Sequence, residues 1–515
     1  AALYNNGLSW NSPWRSLDTA LAAAVDGDTI LVASGKYIPS GATFTVSDNI
    51  TLKGGYSNEW TSYGAETHAG QFYTPNVYIA ELCGDTNGDD VVPNLYVDPN
   101  ALDSLPSRVE NKNYILTVTA GGSVSIDGFL FWDGGTGMSA AGGGILLSSS
   151  SHATINHCQF LGCVNGQGGG AIHGVSGTLS VSDCCLQGNA GSDAVIQFGG
   201  NLTVSKCTFK GNSNSGENSN GIGFGRTGGG SVFTMSNCII LDSISRIGYP
   251  GVGSLYISNE ASHSVTISHC LFYNDSSDVG PLCFMSPTGS VGPVVWTVQN
   301  CLMAGFREDT GYGTLLFRPR PTNQGGTIIN ITNCTIADNK GPGATAGIWV
   351  FNRTNLKNED LSVNIKNCVL WGNSGAQVYW STTSLTFTDS TYNPFHITYS
   401  CIDTTDPGNK AALWKGSYTP RTGLICQDPQ FVPGDANYHL QPASPCIDAG
   451  DPADAYANEP AGMNGCRINM GGWGNTAEAA ITPAHAAITA DINGDCKVNT
   501  SDLLQLRAQW LQHYP

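Results

Sequence analysis

The stretch LTVSKCTFKGN at residues 202–212 decides the architecture, because close copies of it return along the chain. VTISHCLFYND occupies 265–275, INITNCTIADN 329–339 and VNIKNCVLWGN 363–373. The central cysteine recurs at Cys158, Cys184, Cys207, Cys238, Cys270, Cys301, Cys334, Cys368 and Cys401, at intervals of 23 to 34 residues. Such a period with variable insertions marks a solenoid whose units contact only their neighbours. Apolar residues alternate within each phrase, as in strands with one buried face: Leu202, Val204 and Phe209, then Val265, Ile267 and Phe272, then Ile329, Ile331 and Ile336. The step of three from Val204 to Cys207 breaks the alternation, so a bend between two strands must lie just before the cysteine. Asn fills that bend at Asn237, Asn300, Asn333 and Asn367, suiting a residue that tolerates left-handed geometry. Stacked coils predict a ladder of these Asn side chains. His157 and His269 share the bend position, and the earlier phrase VSIDGFLF puts Phe129 in the cysteine slot.

A further strand lies midway between the cysteines, with inward residues expected at Ile145, Ile172, Val195, Ile222, Leu255, Leu282, Leu315, Ile348 and Val378. Neighbouring strands are about 4.8 Å apart, so about ten coils make a rod roughly 50 Å long. The expected fold is all-β: a right-handed parallel β-helix with an N-terminal helical cap and a small C-terminal calcium-loop and helix unit. The outward columns of the two strand types differ. Thr203, Ser205, Thr266, Ser268, Asn330 and Thr332 make an ordinary solvated surface on the cysteine phrase. The midway strand instead sets outward Leu146, His173, Ile196, Gly223, Tyr256, Cys283, Leu316, Trp349 and Tyr379, flanked by Val175, Phe198, Met285, Arg318 and Phe351. An uncharged, aromatic-rich outer column needs a cover, either another chain or the irregular 384–430 segment.

Composition narrows the function. Only 12% of residues are charged, 40% are hydrophobic and Gly numbers 65. That balance suits a fold held by backbone ladders and tight turns, and the apolar content argues against disorder. The net charge is -18, with 40 acidic residues against 22 basic ones. A nucleic-acid partner is therefore not expected, since Lys and Arg are needed to displace counterions from phosphate. No basic groove for polyanionic sugar stands out either, Arg318 and Arg320 being the nearest approach. No stretch reaches the roughly 20 apolar residues of a membrane span. The chain opens at Ala1-Ala2 without a charged or apolar leader and is read as the mature form of a secreted or cell-surface protein, with a cytosolic location as the alternative.

PWRSLDTALAAAVDGDTILVASGKYIP at 13–39 reads as a short amphipathic helix running into a strand, a cap over the first coil. This opening, LKGGYSNEW at 52–60 and ELCGDTNGDD at 81–90 resemble secreted bacterial β-helix proteins of the pectate-lyase-like superfamily. GGGAI (Gly168 to Ile172) and FKGN (Phe209 to Asn212) resemble the GGAI and FxxN repeats of polymorphic outer-membrane-type adhesins. DPQFVPGDANYHLQPASPCIDAGDP at 428–452 and RINMGGWGNT at 467–476 resemble the closing coils of the same group. The resemblance implies the fold; it leaves function open, because the group includes lyases, hydrolases and adhesins. The expected organisation is a cap with first coils over 1–112, the β-helix over 113–480, a linker over 481–490 and a terminal unit over 491–515.

In that terminal unit, DINGDCKVNTSDLL sets oxygen ligands at Asp491, Asn493, Asp495, Asn499 and Asp502, with the carbonyl of Lys497. The spacing suits Ca²⁺, with a calcium-free capping turn as the alternative, and it resembles one repeat of a dockerin. CGDTNGDD (Asp85, Asn87, Asp89) offers a second such loop or an ordinary Asx turn. The repeating cysteines are read as small core residues, stacked too regularly for bridges. Cys401 with Cys426 and Cys446 with Cys466 are the disulfide candidates.

No aligned pair of carboxylates marks a catalytic site. Arg226, Arg318 and Arg353 fall near the ends of the midway strands, Glu260 and Asp278 lie in nearby loops, and His173 is the one histidine placed to act as a base. The leading expectation is a structural or adhesive protein, possibly self-assembling, that binds another copy or another surface protein through Tyr256, Leu316, Arg318, Trp349, Phe351 and Tyr379. The rival is a polysaccharide lyase, glycoside hydrolase or carbohydrate-binding protein using the same face as a sugar groove.

Overall fold

A computed structural model describes residues 7–9, 12–56, 79–90, 106–119, 121–136, 142–192, 194–214, 222–224, 231–241, 244–245, 255–257, 264–273, 276–277, 282–285, 294–308, 313–319, 326–341, 345–352, 361–382, 395–404, 422–460, 465, 467–481, 500 and 503–507. The chain winds into a right-handed parallel β-helix. Two sheets of 12 strands and one of 11 form its faces, and a sheet of 6 short strands fills one corner. One coil shows the plan. Asn201–Ser205 lies in the first sheet, Thr208–Lys210 in the second, Ser213–Asn214 in the corner and Ile222–Phe224 in the third. Each strand pairs in parallel with its counterparts one coil before and one coil after. Among the described residues the first sheet counts twelve strands, more than the ten or so coils expected, because Thr29–Ala33 and Ile50–Tyr56 make N-terminal coils that no cysteine marks.

The bend before the cysteine has the expected conformation. His157, Asp183, Lys206, Asn237, His269, Asn300, Asn333 and Asn367 all have φ between 48° and 55°. This left-handed residue turns the chain so that the next side chain enters the core. Cys158 through Cys368 fill that slot, all but fully buried. Each thiol donates to the carbonyl two residues before it, and most also reach a carbonyl of the preceding coil: Cys334 Sγ lies 3.3 Å from Thr332 O and 3.5 Å from Val298 O. Burial pushes the Cys301 and Cys334 thiols well above their usual range, so the stack is protonated, unreactive filler. Cys401 departs from the expectation. It pairs with Val369, one place past Cys368, and the left-handed Tyr399 precedes Ser400. Ser400 therefore takes the slot, its hydroxyl accepting from Cys368 N at 3.1 Å and donating to Thr398 O at 2.9 Å.

Asparagine does form ladders, though not at the bends. The last residue of the FxxN motif turns inward at Asn189, Asn212, Asn339 and Asn373, all buried. Asn212 Oδ1 accepts from the Asn189 backbone N at 2.9 Å and from its Nδ2 at 3.2 Å, while Asn212 Nδ2 donates to Leu186 O at 2.9 Å. Asn339 and Asn373 repeat the pattern. These side chains satisfy backbone groups that the corner leaves without sheet partners. The glycines of GGAI admit close approach: a Cβ on Gly170 would lie 2.3 Å from Ala190 O.

The bend asparagines are recruited from outside. Residues 422–425 continue the parallel stack one rung beyond Cys401, with Leu424 packed against the core. Among the described residues, 428–481 are turns with one further isolated bridge, set over the outer face of the second sheet. Asn300 Nδ2 donates to Gly474 O at 2.7 Å, and Asn367 Nδ2 to Asp454 Oδ2 at 2.7 Å. Tyr273 OH donates to Asn437 Oδ1 at 2.6 Å. The cover thus reaches across several coils. At the other end, helix Leu17–Ala23 buries Leu17 and Leu21 against the first-coil core, as a cap should. Inside the rod, Phe131 stacks on Phe160 at 4.8 Å, and Phe284, Trp296 and Phe317 form a second aromatic group.

A buried ion cluster braces the early coils. Arg108 donates to Asp133 Oδ1 at 3.1 Å and to Gly162 O at 2.7 Å, and Asp90 lies 3.7 Å away. Burial raises the Asp133 carboxyl to about 7 despite this guanidinium, and its Oδ2 has no partner among the described residues. An acid whose folded pKa is raised holds a proton that the unfolded chain has released, so this site loses stability as pH rises from about 4 to about 7. Urea unfolding followed over that range should show the decline, and Asp133→Asn should flatten it. Asn212→Ala should cost about 1–3 kcal/mol in the same assay by stranding the Asn189 N–H and the Leu186 carbonyl.

Candidate functional site

The third sheet decides which side chains face out. Ile172 pairs with Ile145 and Ile196, and Ile196 with Ile222. Ile196 and Phe198 are therefore inward and fully buried in the main core, contrary to the outward placement read from sequence. An irregularity between Gly169 and Ile172 shifts the register there, and a one-residue shift exchanges the faces. The outward column runs His173, Gln197, Gly223, Tyr256, Cys283, Leu316, Trp349 and Tyr379, with Met285, Arg318 and Phe351 two residues further along their strands. Tyr256 and Met285 are placed by strand register alone, their side chains lying outside the described residues.

The C-terminal half of this column is a cluster separate from the interior of the rod. Cys283 and Leu316 are sealed on the outside of the sheet, with the partly buried Trp349 and Phe351 packed against them. Trp349 meets Phe351 at 5.6 Å and 68° and Tyr379 at 5.7 Å and 64°, both edge to face. Arg318 places its guanidinium carbon 5.6 Å from the centre of the Phe351 ring, a cation–π contact. Burial pushes the Cys283 thiol up to about 12, partly offset by the Arg318 charge. Among the described residues, Cys283 and Leu316 are covered by the column's own aromatic rings; most of the 384–430 segment expected to cover the column lies outside them. The described part of the C-terminal cover lies on the second sheet instead.

Catalytic groups do not gather among the described residues of this face. His173 Nδ1 accepts a long 3.4 Å hydrogen bond from Gly169 N, which occupies the lone pair a base would need. Arg226, Arg320, Arg353, Glu260 and Asp278 lie outside the described residues. Two polar clusters arise elsewhere. Asp85, Asp89 and Glu110 bring carboxylate oxygens within 4.8 Å of one another. Asp85 Oδ1 accepts from Gly88 N at 2.7 Å, an Asx turn within CGDTNGDD, and Asn87 Oδ1 accepts from Asp89 N at 3.1 Å. Burial, aided by the charges of Asp89, Asp90 and Asp85, raises the Glu110 carboxyl. In the cover, His439 sits between Asp435 at 2.6 Å and Glu478 at 3.3 Å and stacks on Trp473 at 4.8 Å. Sequence reading missed both Glu110 and His439, since only folding brings distant segments to their partners.

Cys401 and Cys426, an expected pair, are not bridged in this structure, in which every described cysteine carries a free thiol. Both thiols are free, Cys401 buried and Cys426 exposed. Ile425 is the residue that bridges Cys401, so Cys426, next along the chain, points the other way. Cys446 is also free and buried. Its expected partner Cys466 lies outside the described residues, as do the calcium candidates Asp491, Asn493, Asp495, Lys497, Asn499 and Asp502. Residues 503–507 are helical, in keeping with the helix expected after that loop.

Comparison with known protein families matches residues 114–291 to the family described as a right handed beta helix region. No curated protein matches. Among solved structures the chain is similar to one titled "Crystal structure of pectate lyase Pel9A", at 12% identity and a TM-score of 0.32, covering 91% of this chain and 92% of that one. The family match agrees with the coil geometry, and no residue role is carried over from the lyase.

Proposed function

We propose that this protein is a secreted or cell-surface structural solenoid that associates with a second copy of itself through the aromatic column of the third sheet. The observation that carries this reading is the contrast between outer faces. The first sheet presents Thr and Ser to water, while on the third the partly exposed Trp349, Phe351 and Tyr379 lie over the buried Leu316, with the buried Arg318 beside Phe351. A net charge of -18 makes two copies repel at long range, so a column whose described residues include no acid is where they can approach. Edge-to-face rings favour packing against another protein over sugar binding, which uses flat, open ring faces. Burying the exposed parts of these rings supplies the attraction. Salt should strengthen the association by screening the repulsion while leaving the apolar contact intact.

Sedimentation velocity of the full chain tests this. Association is expected to increase with protein concentration and with salt. Trp349→Lys and Tyr379→Lys should each abolish it while the far-ultraviolet circular dichroism stays unchanged. A chain that remains monomeric at all concentrations, or that degrades a polysaccharide, overturns the reading; the second outcome establishes the lyase or hydrolase rival. For the terminal unit we propose Ca²⁺ binding by Asp491, Asn493, Asp495, Lys497, Asn499 and Asp502, on their spacing alone. Calorimetric titration with Ca²⁺ should give one site, lost in the D491A/D495A double variant.

A further inference from the structure

The cysteine that left the ladder has a new neighbour. The sequence puts Cys401 last in the series of core cysteines, but the register places Ser400 in that slot and turns Cys401 to the opposite side of its strand. There it faces the C-terminal cover and joins Val369, Cys446 and Met470 in one buried cluster. Cys401 and Cys446 are both fully buried. Cys446 is held from two sides: its N–H donates to Ser444 Oγ at 3.1 Å, and its carbonyl accepts from Met470 N at 3.0 Å. Cys401 Sγ donates to Gln427 O at 3.2 Å, and the neighbouring Cys446 thiol, with burial, pushes the Cys401 thiol well above its usual range.

We infer that Cys401 and Cys446 form a disulfide that fastens the cover to the last coil of the solenoid. This pairing differs in kind from any within the cysteine stack. Stacked cysteines sit on neighbouring strands of one sheet, their Cα–Cβ bonds parallel, an orientation poorly suited to a bridge. Cys401 and Cys446 come from different layers, a strand and the cover lying on it, and are packed together in one buried cluster. The bridge also has a structural use. The last strands of the rod, Phe395–Thr398 and Cys401–Ile402, leave a sheet edge that invites pairing with other chains, and the cover is what lies beside it.

The chemistry balances with a low-molecular-weight disulfide as oxidant. Two thiols give up two protons and two electrons and form one S–S bond, while the oxidant's S–S bond breaks to yield two thiols. Neither sulfur is reachable once the cover has docked, so the exchange occurs as the cover folds onto the coil. Closed in this way, the bond is shielded from later reduction.

Refolding the full chain in a buffer of oxidised and reduced glutathione tests the inference. Monomer with native circular dichroism is isolated, its free thiols are alkylated in denaturant without reductant, and its peptides are mapped by mass spectrometry. The expected product is a peptide pair joined through Cys401 and Cys446, lighter by two hydrogens than the separate peptides. Cys446→Ser should lower the Tm of oxidised protein by several degrees and leave that of protein refolded in reductant nearly unchanged. Finding Cys401 joined to Cys426, Cys446 joined to Cys466, or both thiols alkylated in the natively folded chain overturns the inference. The mapping uses the unsubstituted chain, so its outcome does not depend on any variant folding.

Discussion

Everything in this molecule depends on one left-handed residue per coil. At φ near 50° that residue turns the chain from the first sheet to the second and sends the next side chain into the core. Because parallel strands of successive coils pair in register, a slot opened once is reopened at the same place in every coil. Cysteine suits the slot by being small, apolar and able to direct its weak donor at the nearby carbonyls. The bend fixes the phase of the strands on either side, and the phase fixes which residues meet water.

The three faces then diverge. The first keeps the polar outer column of a solvated sheet. The second loses contact with water over its later coils because residues 428–481 are set over it. That cover uses the bend asparagines as anchor points: Asn300, Asn333 and Asn367 spend their amide groups on cover carbonyls and carboxylates instead of on one another. The third face keeps its aromatic column, in which Trp349 and Phe351 seal Leu316 and Cys283 beneath them. Among the described residues, then, the cover lies on the second face and the aromatic column on the third.

The buried amide ladder shows how such a rod tolerates corners. A coil must leave one sheet and enter the next, and at each corner a backbone donor and acceptor lose their strand partners. Asn189, Asn212, Asn339 and Asn373 fill both needs from within, each taking an N–H and serving a carbonyl of the coil before its own. Asp133, its carboxyl raised to about 7 by burial beside Arg108, meets a similar problem less completely, and stability there is expected to follow pH.

The sequence by itself determined the solenoid, the bend, the cysteine slot and the polar outer column, because each follows from periodicity in residues that are near one another along the chain. The aromatic column was legible for the same reason, save where the irregularity beside Gly169 reversed the faces and moved Ile196 and Phe198 inside. Only the tertiary structure decided that Ser400 replaces Cys401 in the slot, that Glu110 joins Asp85 and Asp89, and that Cys446 lies against Cys401. These depend on a register shift of a single residue or on contacts between segments far apart in sequence. Local periodicity carries no information about either, since a strand shifted by one residue has the same pattern and the opposite face.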